Sequence, residues 1–293
     1  RSTMRLVNGG RVASVVLAFG LVSSVRGQGC MAVRGSGHCS GRMVQTVGVA
    51  SASGADRKWQ LGLGYRRFKS DRHFVGSREI DLPRHLVVEN ISNFYDLFAE
   101  RSVSDRVSLS LVLPFVASQR RAAYEHDDIH RYATHANGLA DIRLTAYAWL
   151  FKPETSERGN LRIGVGLKLP TGDYDAQDNF HSKTGVVRRA VDQSIQPGDG
   201  GYGVTLEASG FAELASHLRA YIGGFYLLNP EEENGVLTDV AGDNPYFRTM
   251  SITDQYMARA GLICHADPQK SLSAGLGVRV EGVPATDLVG GNE

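Results

Sequence analysis

Beyond its N-terminal region this sequence of 293 residues has no long apolar run, so no later segment can cross a membrane as a helix. An excess of one charge is missing too. The 32 basic and 31 acidic side chains nearly cancel, and a chain without a basic footprint has no electrostatic hold on a phosphate backbone, which excludes DNA and RNA as partners. Cysteine is scarce. Cys30 and Cys39 are close enough to close a small loop in an oxidising compartment, while Cys264 falls in a strand-like segment with no obvious mate, so a disulfide framework is not the source of stability. Also absent are the Gly-x-Ser-x-Gly elbow, the P-loop and the His-Glu-x-x-His motif, leaving no local signature of catalysis and no expected cofactor. Ser216 beside His217 is the nearest approach to a nucleophile with a base, and it falls at an expected turn.

What is present begins with an address. From Met4, MRLVNGGR carries two positive charges, VASVVLAFGLVSSV (12–25) is apolar over the length of a secretory signal, and small residues follow. Val25 and Gly27 sit where a signal peptidase reads, which predicts a signal peptide over 4–27, cut before Gln28. Residues 28–56, rich in Gly, Ser and Val and without clear periodicity, read as a periplasmic leader or a small plug.

From residue 57 the pattern has period two. WQLGLGY, VSLSLVLPF, LRIGVGLKL and LSAGLGVRV place an apolar residue at every second position, and helical spacing is not sustained. Strands are predicted near 57–68, 86–101, 106–118, 139–151, 160–170, 202–214, 217–229, 252–266 and 271–283. Most match the roughly 9–11 residues that a tilted strand needs to cross a bilayer. Long polar stretches follow the first, third, fifth and seventh strands (69–85, 119–138, 171–201, 230–251), and short turns follow the others. An outer-membrane barrel whose chain starts in the periplasm shows this order and phase.

Chemistry separates the two faces. Leu61, Leu63, Leu109, Leu111, Ile163, Val165, Leu276 and Val278 fall on one, without charge; Arg66, Asp141, Arg143, Arg162, Lys168, Arg279 and Glu281 fall on the other, among Gly, Ser and Thr. Buried between two sheets, such a charged face would be costly, whereas a wet lumen accepts it. The expectation is therefore an all-β, antiparallel up-and-down transmembrane barrel over 57–293. Because bacterial single-chain barrels have even strand numbers, and because the last residues VGGNE are polar, it is expected to be incomplete at its C-terminus, with about nine strands present of about twelve. Arg143, Arg162, Lys168, Glu207, Arg259, Arg279 and Glu281 are predicted to line the lumen. Glycines on the same face, among them Gly62, Gly164 and Gly277, could make room for a solute or allow the wall to bend. In AYEHDDIHRYATH (123–135), His126, Asp128 and His130 are the candidate metal ligands, since imidazole and carboxylate suit a divalent ion. A charged external loop reads equally as a solvated surface or a lipopolysaccharide contact.

Four stretches carry a resemblance: GLADIRLTAYAWL (138–150), GVGLKLPTGDYD (164–175), QPGDGGYGVTLEASG (196–210) and GLGVRVEGVPATDLVGGNE (275–293). In order and spacing the chain resembles, from about residue 57 onward, the outer-membrane family associated with the meta-cleavage pathway of phenol degradation. The resemblance implies a channel-like or transporter-like protein of a Gram-negative outer membrane, in contact with lipid and lipopolysaccharide and admitting small hydrophobic or aromatic compounds. It carries over no catalytic or binding residues. A lipase-like barrel enzyme and a structural or adhesive barrel acting through its loops are the alternatives.

Overall fold

Alternation of branched and aromatic residues with small polar ones suits a pleated surface with two unlike sides, and the chain uses it to build one antiparallel wall. The computed structural model describes residues 59–289 apart from 76–77, 82, 84, 239–248, 267–272 and 285. The expected signal peptide and leader, with Cys30 and Cys39, lie outside the described residues. The strands are β1 (Trp59–Ser70), β2 (His73–Val75), β3 (Arg78–Ile80), β4 (Glu89–Ser102), β5 (Val107–Arg121), β6 (Ala133–Leu139), β7 (Ile142–Trp149) and β8 (Gly159–Leu169). They continue with β9 (Gln177–Ser182), β10 (Gly185–Ala190), β11 (Gly203–Ala215), β12 (Leu218–Leu228), β13 (Glu233–Leu237), β14 (Thr249–Ser251), β15 (Gln255–His265) and β16 (Ser273–Gly282).

The wall runs β1-β4-β5-β7-β8-β11-β12-β15-β16, in sequence order, with β6 attached to β5. Its nine main strands are those that the alternation predicts. Two local features differ. The stretch 119–138, read as a loop, contains the end of β5 and all of β6 but its last residue. The reason is a β-bulge. Between the pairs Phe115↔Leu139 and Val112↔Arg143 one extra residue enters on the β6–β7 side, so inward positions change from even on β6 to odd on β7. Pro114, which has no N–H to give a ladder, lies at this level, and its carbonyl accepts from Ala140 N at 2.8 Å. A reading by period two necessarily breaks there. The other long stretches also hold short hairpins (β2–β3, β9–β10, β13–β14), whose strands are too short for alternation to mark them.

Relative to a water-soluble protein the two faces of the wall are inverted. Leu63 is 73% exposed, Val165 59% and Leu276 58%, whereas Lys168 is 2% exposed, Arg143 3% and Glu207 7%. The leucines expected to point outward do so, and among the described residues no second sheet covers them. Near the loop end the outer face carries Tyr65, Tyr95 and Phe115 side by side in register, with the two tyrosine rings 5.3 Å apart. At the turn end Trp59 lies beneath the Arg101 guanidinium. These positions bracket the apolar belt as interfacial aromatic girdles do.

The sheet curls with its polar face inside. Arg66 Nη1 lies 3.1 Å from Glu281 Oε1, joining the first wall strand to the last, and Arg162 reaches Glu100 at 3.4 Å from β8 to β4. Among the described residues β1 pairs only with β4, and β16 only with β15. Apolar packing inside is local. Phe225, Leu227 and Met257 form one cluster, and Phe94, Val116 and Ala140 another, with Phe68 against it.

Candidate functional site

The inner face concentrates the chain's charge. Arg143, Arg162, Lys168, Glu207 and Arg259 are buried there, and Arg279 and Glu281 on β16 are half-buried on the same face. Each is held in a specific way. Glu207 accepts from the Tyr147 hydroxyl at 2.6 Å and from the hydroxyls of Thr145 and Thr205 at 3.2 and 3.4 Å. Three donors from β7 and β11 thus converge on one carboxylate and replace the water it gave up. Arg162 pairs with Glu100 and stacks its guanidinium 4.0 Å above the Tyr147 ring. Arg143 lies 5.1 Å from the Phe225 ring, and Arg259 5.8 Å from that of Tyr221. Glu281 takes both Arg66 and Arg279.

The inward glycines are where these rings rest. A Cβ on Gly164 would come 2.5 Å from Tyr147, and one on Gly277 would come 2.3 Å from the Tyr221 hydroxyl. Those positions are occupied by a neighbour's ring, so they are not open room for a solute.

Sequence reasoning missed the structure at the loop end of the interior. The segment Asp192–Gly201, which includes the 3-10 turn Gln193–Ile195, runs along the inner side of the wall and is tied to strand after strand. Ser194 Oγ accepts from Asn90 on β4 at 3.0 Å and from Arg120 on β5 at 3.4 Å, and Asp192 pairs with Arg120 at 3.4 Å. Pro197 packs on Gly138 of β6. Asp141, which the bulge turns inward, accepts from the backbone N–H groups of Gly172 at 3.0 Å and Asp199 at 3.1 Å. Lys168 on β8 forms a buried ion pair with Asp199. Asn234 on β13 donates to the Asp199 carbonyl at 2.9 Å. Gly172 and Gly198 touch so closely that a Cβ on Gly198 would come 2.6 Å from the Gly172 carbonyl oxygen. GLADI, LKLPTGD and QPGDG, far apart in sequence, therefore meet in one buried charged knot. Their shared Gly-Asp chemistry was the available signal.

Outside the wall, the candidate metal ligands go to separate partners. His126 is buried, stacked on Phe180 at 5.3 Å, with Nδ1 accepting from His181 N at 3.0 Å. Burial, then the positive neighbours His181 and Arg189, lower its proton affinity. Asp128 binds Lys183 at 2.6 Å, and His130 binds Asp127 at 2.6 Å. That contact holds Asp127 well below the usual carboxylate range. Among the described residues no three His, Cys, Asp or Glu side chains converge as a metal site. Arg189 stacks 3.9 Å from the other member of this cluster, Phe180, which packs with Ala136, Val191 and Ile195. Ser216 and His217 occupy the exposed two-residue turn between β11 and β12.

A curled antiparallel sheet with a lipid-compatible exterior and a charged, hydrogen-bonded interior defines the class of β-barrel wall proteins. The chain belongs to the MetA-pathway of phenol degradation family, whose profile matches residues 48–207, more than half its length. That match ends within β11, so β12, β15, β16 and the stretch 275–293 fall outside it. No curated protein matches the chain. Among solved structures, an outer membrane channel from Pseudomonas putida F1 is similar, with a TM-score of 0.52 over 76% of this chain and 72% of that chain, at 15% sequence identity. The likeness is one of fold.

Proposed function

We propose that the protein is a channel of a Gram-negative outer membrane through which small hydrophobic or aromatic compounds pass. The inversion of the wall carries the reading: leucine and valine outside, arginine, lysine and glutamate inside. Such a surface is stable only where hydrocarbon meets the outer face, and a polar interior is the means by which a barrel offers a path. Arg143, Arg162, Lys168, Glu207, Arg259, Arg279 and Glu281 line that path; Glu100 and Asp199 pair with Arg162 and Lys168 and offset part of its positive excess, which suits solutes that are not strongly ionic. Lipid and lipopolysaccharide contact the outer belt and loops. The substrate class rests on the family and on the channel it resembles in fold. In hydrocarbon every backbone group needs a partner, so the functional wall contains strands beyond the nine described, in an even total of about twelve.

Deletion should abolish uptake of phenol at low external concentration, and re-expression should restore it. Unchanged uptake in the deletion strain, together with proteoliposomes impermeable to phenol-sized solutes, would overturn the reading. Heat-modifiable migration on a gel checks that the wall closes.

A further inference from the structure

We propose that the segment Asp192–Gly201 is a strap that gates the path, and that the Lys168–Asp199 ion pair is its latch; the inference rests on the channel reading above. Four observations support it. The strap lies on the inner side of the wall, and the inner residues next to its latch are shut off from water: Thr205, two residues along from the Gly203 that pairs with Lys168, is fully buried, as is Leu227. Its attachments to the wall are almost all polar. Ser194 to Asn90 and Arg120, Asp192 to Arg120, and Asp199 to Asp141 and Lys168 can each be replaced by water at small net cost, which is not true of packed apolar contacts. Its apolar residue Ile195 packs with Phe180 and Val191 on the side of the β9–β10 hairpin and with Ala136 of β6, so on leaving with the hairpin the strap gives up few apolar contacts to the wall, Ala136 and Gly138 of β6 among them. Finally, its far end has a built-in pivot. Gly200 has φ +90, a backbone conformation other residues rarely adopt, and Gly201 follows it.

The latch joins a fixed part to a movable one. Lys168 is held in β8 by ladders on both sides, to β7 and β11, while Asp199 belongs to the strap. Breaking the pair therefore removes one anchor of the strap and loosens it without touching the wall's own pairing.

The test uses the full-length protein in cells and in planar bilayers, with the native cysteines changed to serine and Thr205→Cys as a reporter. A bulky, membrane-impermeant thiol reagent added outside should label that site slowly. Asp199→Asn should speed labelling about tenfold, the factor expected from losing one charge-assisted hydrogen bond, and should raise conductance in bilayers. Ser194→Ala, at the other end of the strap, should act in the same direction and serves if Asp199→Asn fails to fold. Separately, Asn90→Cys with Ser194→Cys should give low conductance when oxidised and higher conductance when reduced. Unchanged labelling and conductance in both single variants would overturn the strap as a gate. Faster labelling with no solute flux in any variant would leave the latch standing and overturn the channel reading instead.

Discussion

A guanidinium that both stacks on a ring and meets a carboxylate is the recurring unit of the interior, and it makes single substitutions there costly. In Glu100→Ala, Arg162 keeps the Tyr147 ring but loses its anion, and an uncompensated buried charge costs about 3 kcal/mol or more. The double variant Glu100→Gln/Arg162→Gln should lose clearly less than Glu100→Ala alone; urea unfolding from lipid vesicles measures both. Equal losses would show that the pair is screened by water. At Gly277 the constraint is steric. Gly277→Val would drive its side chain into the Tyr221 hydroxyl, with an overpacking cost of about 1–3 kcal/mol and a lower midpoint for loss of the heat-modifiable form. The same change at Gly235, which nothing approaches within 4 Å, tests only its backbone conformation at φ +77.

At the scale of elements, the loop assembly around β9–β10 should respond to acid. His126 is packed in its neutral form, facing His181, Arg189, Asp127, Asp178 and Tyr132 from the elements around it. Because its proton affinity is lowered on folding, the undocked loop binds a proton that the docked loop excludes. Its contribution is therefore complete above the ordinary value of 6.5 and is lost as pH falls from there towards the depressed value. Asp127, also depressed, loses its contribution in the same direction. Amide exchange over 177–190, corrected for intrinsic rates, should be faster near about pH 5 than near about pH 7, and His126→Gln should flatten the difference. Elements also decide what could be read from sequence. Each main strand was legible because lipid on one side and a polar interior on the other impose strict alternation, as along Trp59–Tyr65 or Leu161–Leu169. β6 was not, because the extra residue at Ala140–Asp141 reverses the phase that defines a strand. The strap was not, because Ser194, Gln196 and Asp199 are polar residues in a polar loop, and burial of such residues by hydrogen bonds leaves no periodic trace. The inward direction of Lys168 was readable; its partner Asp199, brought by folding from far along the chain, was not.

At the scale of the whole molecule, the inverted faces predict an inverted response to charge. Leu63→Arg at mid-belt should cost about 2–4 kcal/mol in lipid vesicles, while Tyr65→Arg, nearer the loop-end girdle, should cost about 0–1 kcal/mol before loss of the ring contact with Tyr95 is counted. A protein whose exposed leucines faced water would tolerate both alike. The wall has a further property that concerns time. Each wall strand pairs with the wall strand next to it along the chain, so hairpins with short turns, such as β4–β5, β7–β8 and β11–β12, can form as soon as their second limb is present, with little loop to close. The Arg66–Glu281 contact is of a different kind, bridging 215 residues and requiring every intervening strand to be in place. Among the nine described wall strands this contact is a natural late event, and a probe that reports when Arg66 meets Glu281 would act as a clock for the curling of the sheet, lagging behind the hairpins that precede it.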